Sequence, residues 1–205
     1  LAVVLARYVT GSASAMGSRN EIDLDNKYIV IDTSGMPDDL LLPGIFWATD
    51  IANDLISGAG GQLSALISDE LWSLVGANSN PLAAGYIQEM VKTIRGLGGI
   101  AITSTQGMQD LFSLDNGKYG KGILDSSRIK IVMQMEEQEA RLIQNVLNLS
   151  EEEVRQITRV RRGEGLLCIG YNHVPIAFYA TQKEYDAITT SPTDLLNRNI
   201  KNETV

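Results

Sequence analysis

The stretch Leu63–Trp72, LSALISDELW, decides how the rest of the chain is read. Its apolar run has the look of a strand, and it ends in two adjacent carboxylates, Asp69 and Glu70. Nucleotide hydrolysis uses acidic side chains delivered at the end of a strand: one supports a magnesium ion and the next polarises the attacking water. In this reading Asp69 supports magnesium through a water and Glu70 acts as the base. The plain alternative is a strand that runs out into solvent, and the motif alone does not separate the two.

Working outward, the helix-like YIQEMVKTIRGLGG leads into a second apolar strand, IAITST, with Gln106 just past its end. A neutral amide at that point can hydrogen-bond both a γ-phosphate oxygen and the attacking water, and so report nucleotide state. The alternative is a turn residue that caps the strand. Gln106 on a strand next to the one carrying Asp69 and Glu70 favours the functional reading.

The remaining segments repeat the same alternation. KYIVIDTS, with Ile29, Val30 and Ile31 together, predicts a strand buried on both faces, as parallel sheets require. A helix is predicted from Asp38 to Ser57, ended by GAGG, and another from Pro81 to Gly96, where Ile87, Met90, Val91 and Ile94 recur at helical spacing. A helix around Lys121 and Ile123 precedes a fourth strand, RIKIVMQM. Strands alternating with helices predict an α/β fold with a mostly parallel sheet flanked by helices, whose ligands bind beyond the carboxyl ends of the strands.

Two helices follow, Glu136 to Leu147 and Ser150 to Arg159, the second opening on a capping box of Ser150 and Glu153. GEGLLCIGYNHVPIAFYA predicts a C-terminal β-hairpin turning near Asn172, and Thr181 with Glu184 form a further capping box. The expected domain organisation is one unit over residues 1–188, with a mobile or docking polar tail over 189–205. An amphipathic helix, LAVVLARYV, opens the chain without a cap, followed by the loop GSASAMGSRN.

Composition removes several function classes. The chain has 205 residues, 44% of them hydrophobic, and a net charge of -8. That acidity argues against a broad basic face for nucleic-acid phosphates. Cys168 is the sole cysteine and His173 the sole histidine, so an intramolecular disulfide, a zinc site of Cys and His, and a Ser-His-Asp hydrolase all lack their parts. With no apolar run of about 20 residues and no basic-then-apolar leader, a soluble, cytoplasmic chain is expected.

The order DELW, QEMVKTIRGLGG, ITSTQ, GILDSSRIKIVMQ, LNLSEEE and RRGEGLLCIG resembles the large cytoplasmic ATPases of conjugation and type IV secretion, over about Lys27 to Ala187. Single pieces are shared with motors of the FtsK/HerA kind. The resemblance implies a RecA-like P-loop NTPase fold and a homo-oligomer, a hexamer or smaller, at the inner face of the cell membrane. It further implies ATP and Mg2+ as cofactors, other secretion or conjugation proteins as partners, and a DNA or nucleoprotein substrate handled indirectly.

Two departures stand out. Ser68 occupies a position where the family usually has an aliphatic residue, and no G-x-x-x-x-G-K-[ST] phosphate loop occurs in the sequence. GSASAMGS at Gly11 to Ser18 lacks the Lys. The expectation is therefore a C-terminal part of the motor domain, inactive alone, with its phosphate loop upstream.

An arginine finger has to come from a neighbouring subunit. Arg128 leads the candidates, by its resemblance to the FtsK-like finger position; Arg95, Arg161 and Arg162 follow. For each, the plain reading is a solvated or locally paired arginine. Two other functions compete with the secretion ATPase: a DNA-pumping translocase, and a non-catalytic module that docks on partner proteins.

Overall fold

The computed structural model of the chain describes residues 6, 10, 14, 24, 26–33, 35–60, 62–70, 72–76 and 79–194. The opening amphipathic helix and the glycine-serine loop fall almost wholly outside the described residues, as do residues 195–205 of the polar tail. Within the tail, Asp194 accepts hydrogen bonds from Tyr185 Oη at 3.0 Å and Thr189 Oγ1 at 3.3 Å.

Contacts divide the chain into two compact units, Leu1–Ser126 and Ser127–Val205. The sequence alone reads as one unit over residues 1–188. The first unit contains α1 (Asp38–Gly58), β1 (Ser64–Ser68), α2 (Trp72–Val75), α3 (Pro81–Thr93), β2 (Gly99–Thr103), α4 (Met108–Leu111) and α5 (Lys118–Ser126), with short 3-10 turns at Ile94–Leu97 and Leu114–Gly117. β1 and β2 pair in parallel, from Ser64 opposite Gly99 to Ser68 opposite Thr103.

The apolar spacing read in α3 is what builds this unit's core. Asn80 caps the helix by accepting from the Leu82 N–H at 2.8 Å, and Pro81 supplies a residue with no N–H to satisfy. The inward face then buries Ala84, Ile87 and Met90 with Val75, Leu111, Tyr119 and Ile123, and Leu66 of β1 packs on the same cluster. α5 enters closely because Gly120 has no side chain: a Cβ there would meet the backbone carbonyl of Leu111. Gly98, at φ 83°, takes the left-handed turn that ends the 3-10 segment and starts β2.

Two strand expectations need correction. Residues 27–33 form no strand among the described residues, and Tyr28 and Val30 are largely exposed. Apolar β-branched residues favour extended backbone, but a strand exists only through its ladder, and no described strand pairs with this one. β1 and β2 are also not covered on both faces: burial alternates along each, leaving Ile67, Ile100 and Ile102 exposed.

The second unit contains β3 (Ile129–Met133), α6 (Glu137–Leu147), α7 (Glu151–Ile157), β4 (Glu164–Ile169), β5 (Asn172–Ala177) and α8 (Gln182–Ile188). Its sheet has the order β3-β4-β5, antiparallel throughout. RIKIVMQM was expected in the parallel sheet. It pairs instead with β4 of the C-terminal hairpin, Val132 lying opposite Leu166, so the inner face that buries Val132, Leu166 and Cys168 decides its partner.

Both capping boxes form. Ser150 and Glu153 satisfy each other's backbone N–H groups at the start of α7, and Thr181 and Glu184 do so at α8. Glu153 also meets His173 Nδ1 of β5 at 2.7 Å, tying the helix to the sheet. Burial pushes the Glu153 carboxyl up, but hydrogen bonds from the Ser150 backbone, the Ser150 hydroxyl and the His173 ring more than reverse this and hold it below the usual range. Burial, then the Glu153 charge, raises the Cys168 thiol, which is an inert core group.

Candidate active site

β1 and β2 run in parallel and end together, and the next residues of each strand converge at that edge. The ladder continues one step past the strands, where the Ser104 N–H donates to the Ser68 carbonyl at 2.9 Å. This places Asp69 and Glu70 beside Ser104 and Gln106. The Ser104 hydroxyl donates to Asp69 Oδ1, which also accepts from the Glu70 N–H at 3.1 Å. Gln106 Nε2 donates to Glu70 Oε1 at 2.7 Å. Each acidic residue leaving β1 is thus held by a polar residue leaving β2.

Glu70 reaches this position through unusual backbone. Its φ is 53°, in the left-handed region that L residues other than Asn, Asp and Gly rarely adopt. The bend is clamped at its carbonyl, which accepts from Ser73 N at 2.9 Å and Ser73 Oγ at 2.8 Å at the start of α2. Asp69, Ser104 and Gln106 are exposed and Glu70 is half-buried, so the cluster is open to a solute. Thr105, between Ser104 and Gln106 past the end of β2, has a buried Oγ1 with no partner among the described residues.

The oxygen-rich donors suit magnesium, which is usually bound through one or two carboxylates plus substrate phosphates. Among the described residues no group of three or more His, Cys, Asp or Glu side chains could form an all-protein metal cage. Asp69 Oδ2 accepts no hydrogen bond among the described residues and is the oxygen left for a water on such an ion.

Of the residues selected from sequence, Asp69, Glu70 and Gln106 come together. The arginines do not join them within the first unit. Arg95 is exposed in the 3-10 turn that precedes β2, at the strand end opposite to Gln106. Arg128, just before β3, and Arg161 and Arg162, before β4, are exposed residues of the second unit. None of the four forms an ion pair among the described residues.

The profile of the TraG P-loop domain matches residues 2–197, nearly the whole chain. The chain belongs to the TraG P-loop domain family. Among solved structures, this TraG-family domain is similar to VirB4 of Thermoanaerobacter pseudethanolicus, at 25% identity and a TM-score of 0.76, over 89% of this chain and 50% of that one. It therefore spans half the length of that relative. Together these matches make it a domain of the VirB4/TraG type of ATPase.

The genome packaging NTPase B204 of Sulfolobus turreted icosahedral virus 2, solved with ATP-gammaS, shares the fold at 18% identity and a TM-score of 0.57, over 79% of this chain and 74% of that one. The AMP complex of the same protein gives a TM-score of 0.51 at 19% identity. No curated protein matches the chain. Among the described residues, no helix of the TraG-family domain is long and apolar enough to cross a membrane.

Proposed function

We propose that this domain carries the water-activating half of the ATP site in a type IV secretion or conjugation ATPase. The observation behind the reading is the pairing of Gln106 with Glu70 at 2.7 Å, at the carboxyl ends of two parallel strands, beside an Asp69 held by its own partner. Ligands of open α/β sheets bind at that edge.

Glu70 accepts the proton of the attacking water. Gln106 orients the same water and senses the γ-phosphate, exchanging its bond to Glu70 for one to nucleotide. Asp69 holds a water of the magnesium shell; the ion, when bound, neutralises phosphate charge. The chain contains no G-x-x-x-x-G-K-[ST] loop to supply the Lys and backbone amides that cradle the phosphates, so on its own it binds ATP weakly and does not turn it over. The full-length protein works as an oligomer at the inner face of the membrane with other secretion proteins. It acts on DNA or nucleoprotein indirectly, in keeping with a net charge of -8.

The direct test is Glu70→Gln in the full-length protein. The amide keeps the size and cannot act as a base, a role worth about 10²–10⁴ in rate. ATP binding is expected to persist while phosphate release falls by that factor; hydrolysis at the wild-type rate would remove Glu70 from the mechanism.

Arg128 is the leading finger, with Arg95 next. A finger stabilises transition-state charge and contributes about 10³–10⁵ to turnover with little effect on ground-state binding. Mixing full-length Arg128→Ala with Glu70→Gln is expected to restore part of the lost activity, because some interfaces pair an intact Glu70 with an intact Arg128. No recovery in a mixture shown to co-assemble transfers the role to Arg95 or Arg162.

A further inference from the structure

A carboxylate that acts on a metal through water needs a fixed direction more than it needs charge, since an unrestrained side chain spreads over several rotamers. Asp69 is exposed, and nothing about its sequence position fixes it. Two hydrogen bonds do, both to the same oxygen. The Glu70 N–H reaches Oδ1 from within the bend, and the Ser104 hydroxyl reaches it from the neighbouring strand. The backbone of Ser104 is itself set by the bond of its N–H to Ser68, so its hydroxyl is presented by the ladder and not by a loose loop.

We propose that Ser104 is a positioning residue for magnesium: by holding Asp69 Oδ1 it leaves Oδ2 directed to the ion's water shell. The proposal rests on the reading of Asp69 as the magnesium-supporting carboxylate. It gives β2 two separate tasks at its exit, Ser104 on the metal side and Gln106 on the water side. Both residues lie just past the end of β2, Ser104 fixed by its backbone bond to Ser68 and Gln106 two residues further on.

The test uses full-length protein and a fluorescent, non-hydrolysable ATP analogue, titrated at a series of magnesium concentrations. The quantity read is the magnesium concentration that gives half of the metal-dependent tightening. Removing a group that orients a metal ligand typically weakens metal affinity 10–100-fold. Ser104→Ala is expected to raise that concentration by roughly tenfold, at the low end of this range because the contact is exposed. Affinity without magnesium should change less than about twofold, and Ser104→Thr, which keeps the hydroxyl, should stay near wild type.

Asp69→Asn serves as the reference. If it raises the magnesium requirement while Ser104→Ala leaves it within about twofold of wild type, Ser104 has no such role and the assignment of Asp69 stands. If Asp69→Asn also leaves the requirement unmoved, the reading of Asp69 falls and this proposal with it. Equal weakening by Ser104→Ala with and without magnesium, or a Ser104→Thr that behaves like Ser104→Ala, marks the hydroxyl as structural and overturns the proposal.

Discussion

Two glutamates of this chain sit in hydrogen-bonded clusters of similar size, and their surroundings differ in a way that separates chemistry from architecture. Glu153 is almost fully occupied: Oε2 accepts from the Ser150 backbone and hydroxyl, and Oε1 meets the largely buried His173 ring. All its contacts are those of a helix start docked on a sheet. Glu70 is held by an amide at the edge of a parallel pair, on strained backbone, beside an exposed Asp69. A carboxylate at rest in a completed network stabilises the fold. One that accepts from a neutral, exposed amide can accept from a water in its place.

The comparison breaks most visibly in the kinetics. Glu70→Gln should remove about 10²–10⁴ in hydrolysis and leave the unfolding midpoint in denaturant nearly unchanged. Glu153→Ala should do the reverse: a loss of about 2 kcal/mol in stability, from a lost cap and an unpaired His173, with turnover per folded molecule unaltered. Equal kinetic losses from both would erase the distinction.

A smaller effect sharpens it. The Glu153 carboxyl titrates below the ordinary glutamate value, so its contribution to stability is fully present above about pH 4.3 and is lost as pH falls through the lowered value. The stability gap between wild type and Glu153→Gln should therefore be widest near neutrality and close in acid. A gap that widened as pH fell would reverse the assigned direction of the shift.

The fold is legible in the sequence where pattern and local chemistry agree. Pro81 after Asn80, followed by Ile87, Met90 and Ile94 at helical spacing, gives α3 and the core beneath it. Ser150 with Glu153 and Thr181 with Glu184 give both helix starts. The fold is not legible where the outcome depends on a distant partner. RIKIVMQM has the same apolar look as LSALIS, and only pairing with β4 makes it antiparallel. KYIVIDTS has the right residues and no described ladder.

At the site, DELW and ITSTQ pointed to Asp69, Glu70 and Gln106 because strand ends carrying polar residues are visible in one dimension. Ser104 was missed although it lies in the same quoted segment. Its significance depends on parallel register, which sets it beside Asp69, and register is not written in either strand alone.

The backbone of Glu70 has a further consequence for how such a domain responds to selection. Four described residues other than glycine have positive φ: Asp115, Asn116, Asn148 and Glu70. Three are of the types whose short polar side chains tolerate the left-handed region, and Glu70 is the exception. Glycine would relax that position by about 1 kcal/mol, so the change that removes the carboxylate also makes the chain more comfortable. A library sorted only for thermal resistance will drift away from glutamate at residue 70, and under the catalytic role proposed for Glu70 its retention in a natural homologue marks selection for hydrolysis over comfort.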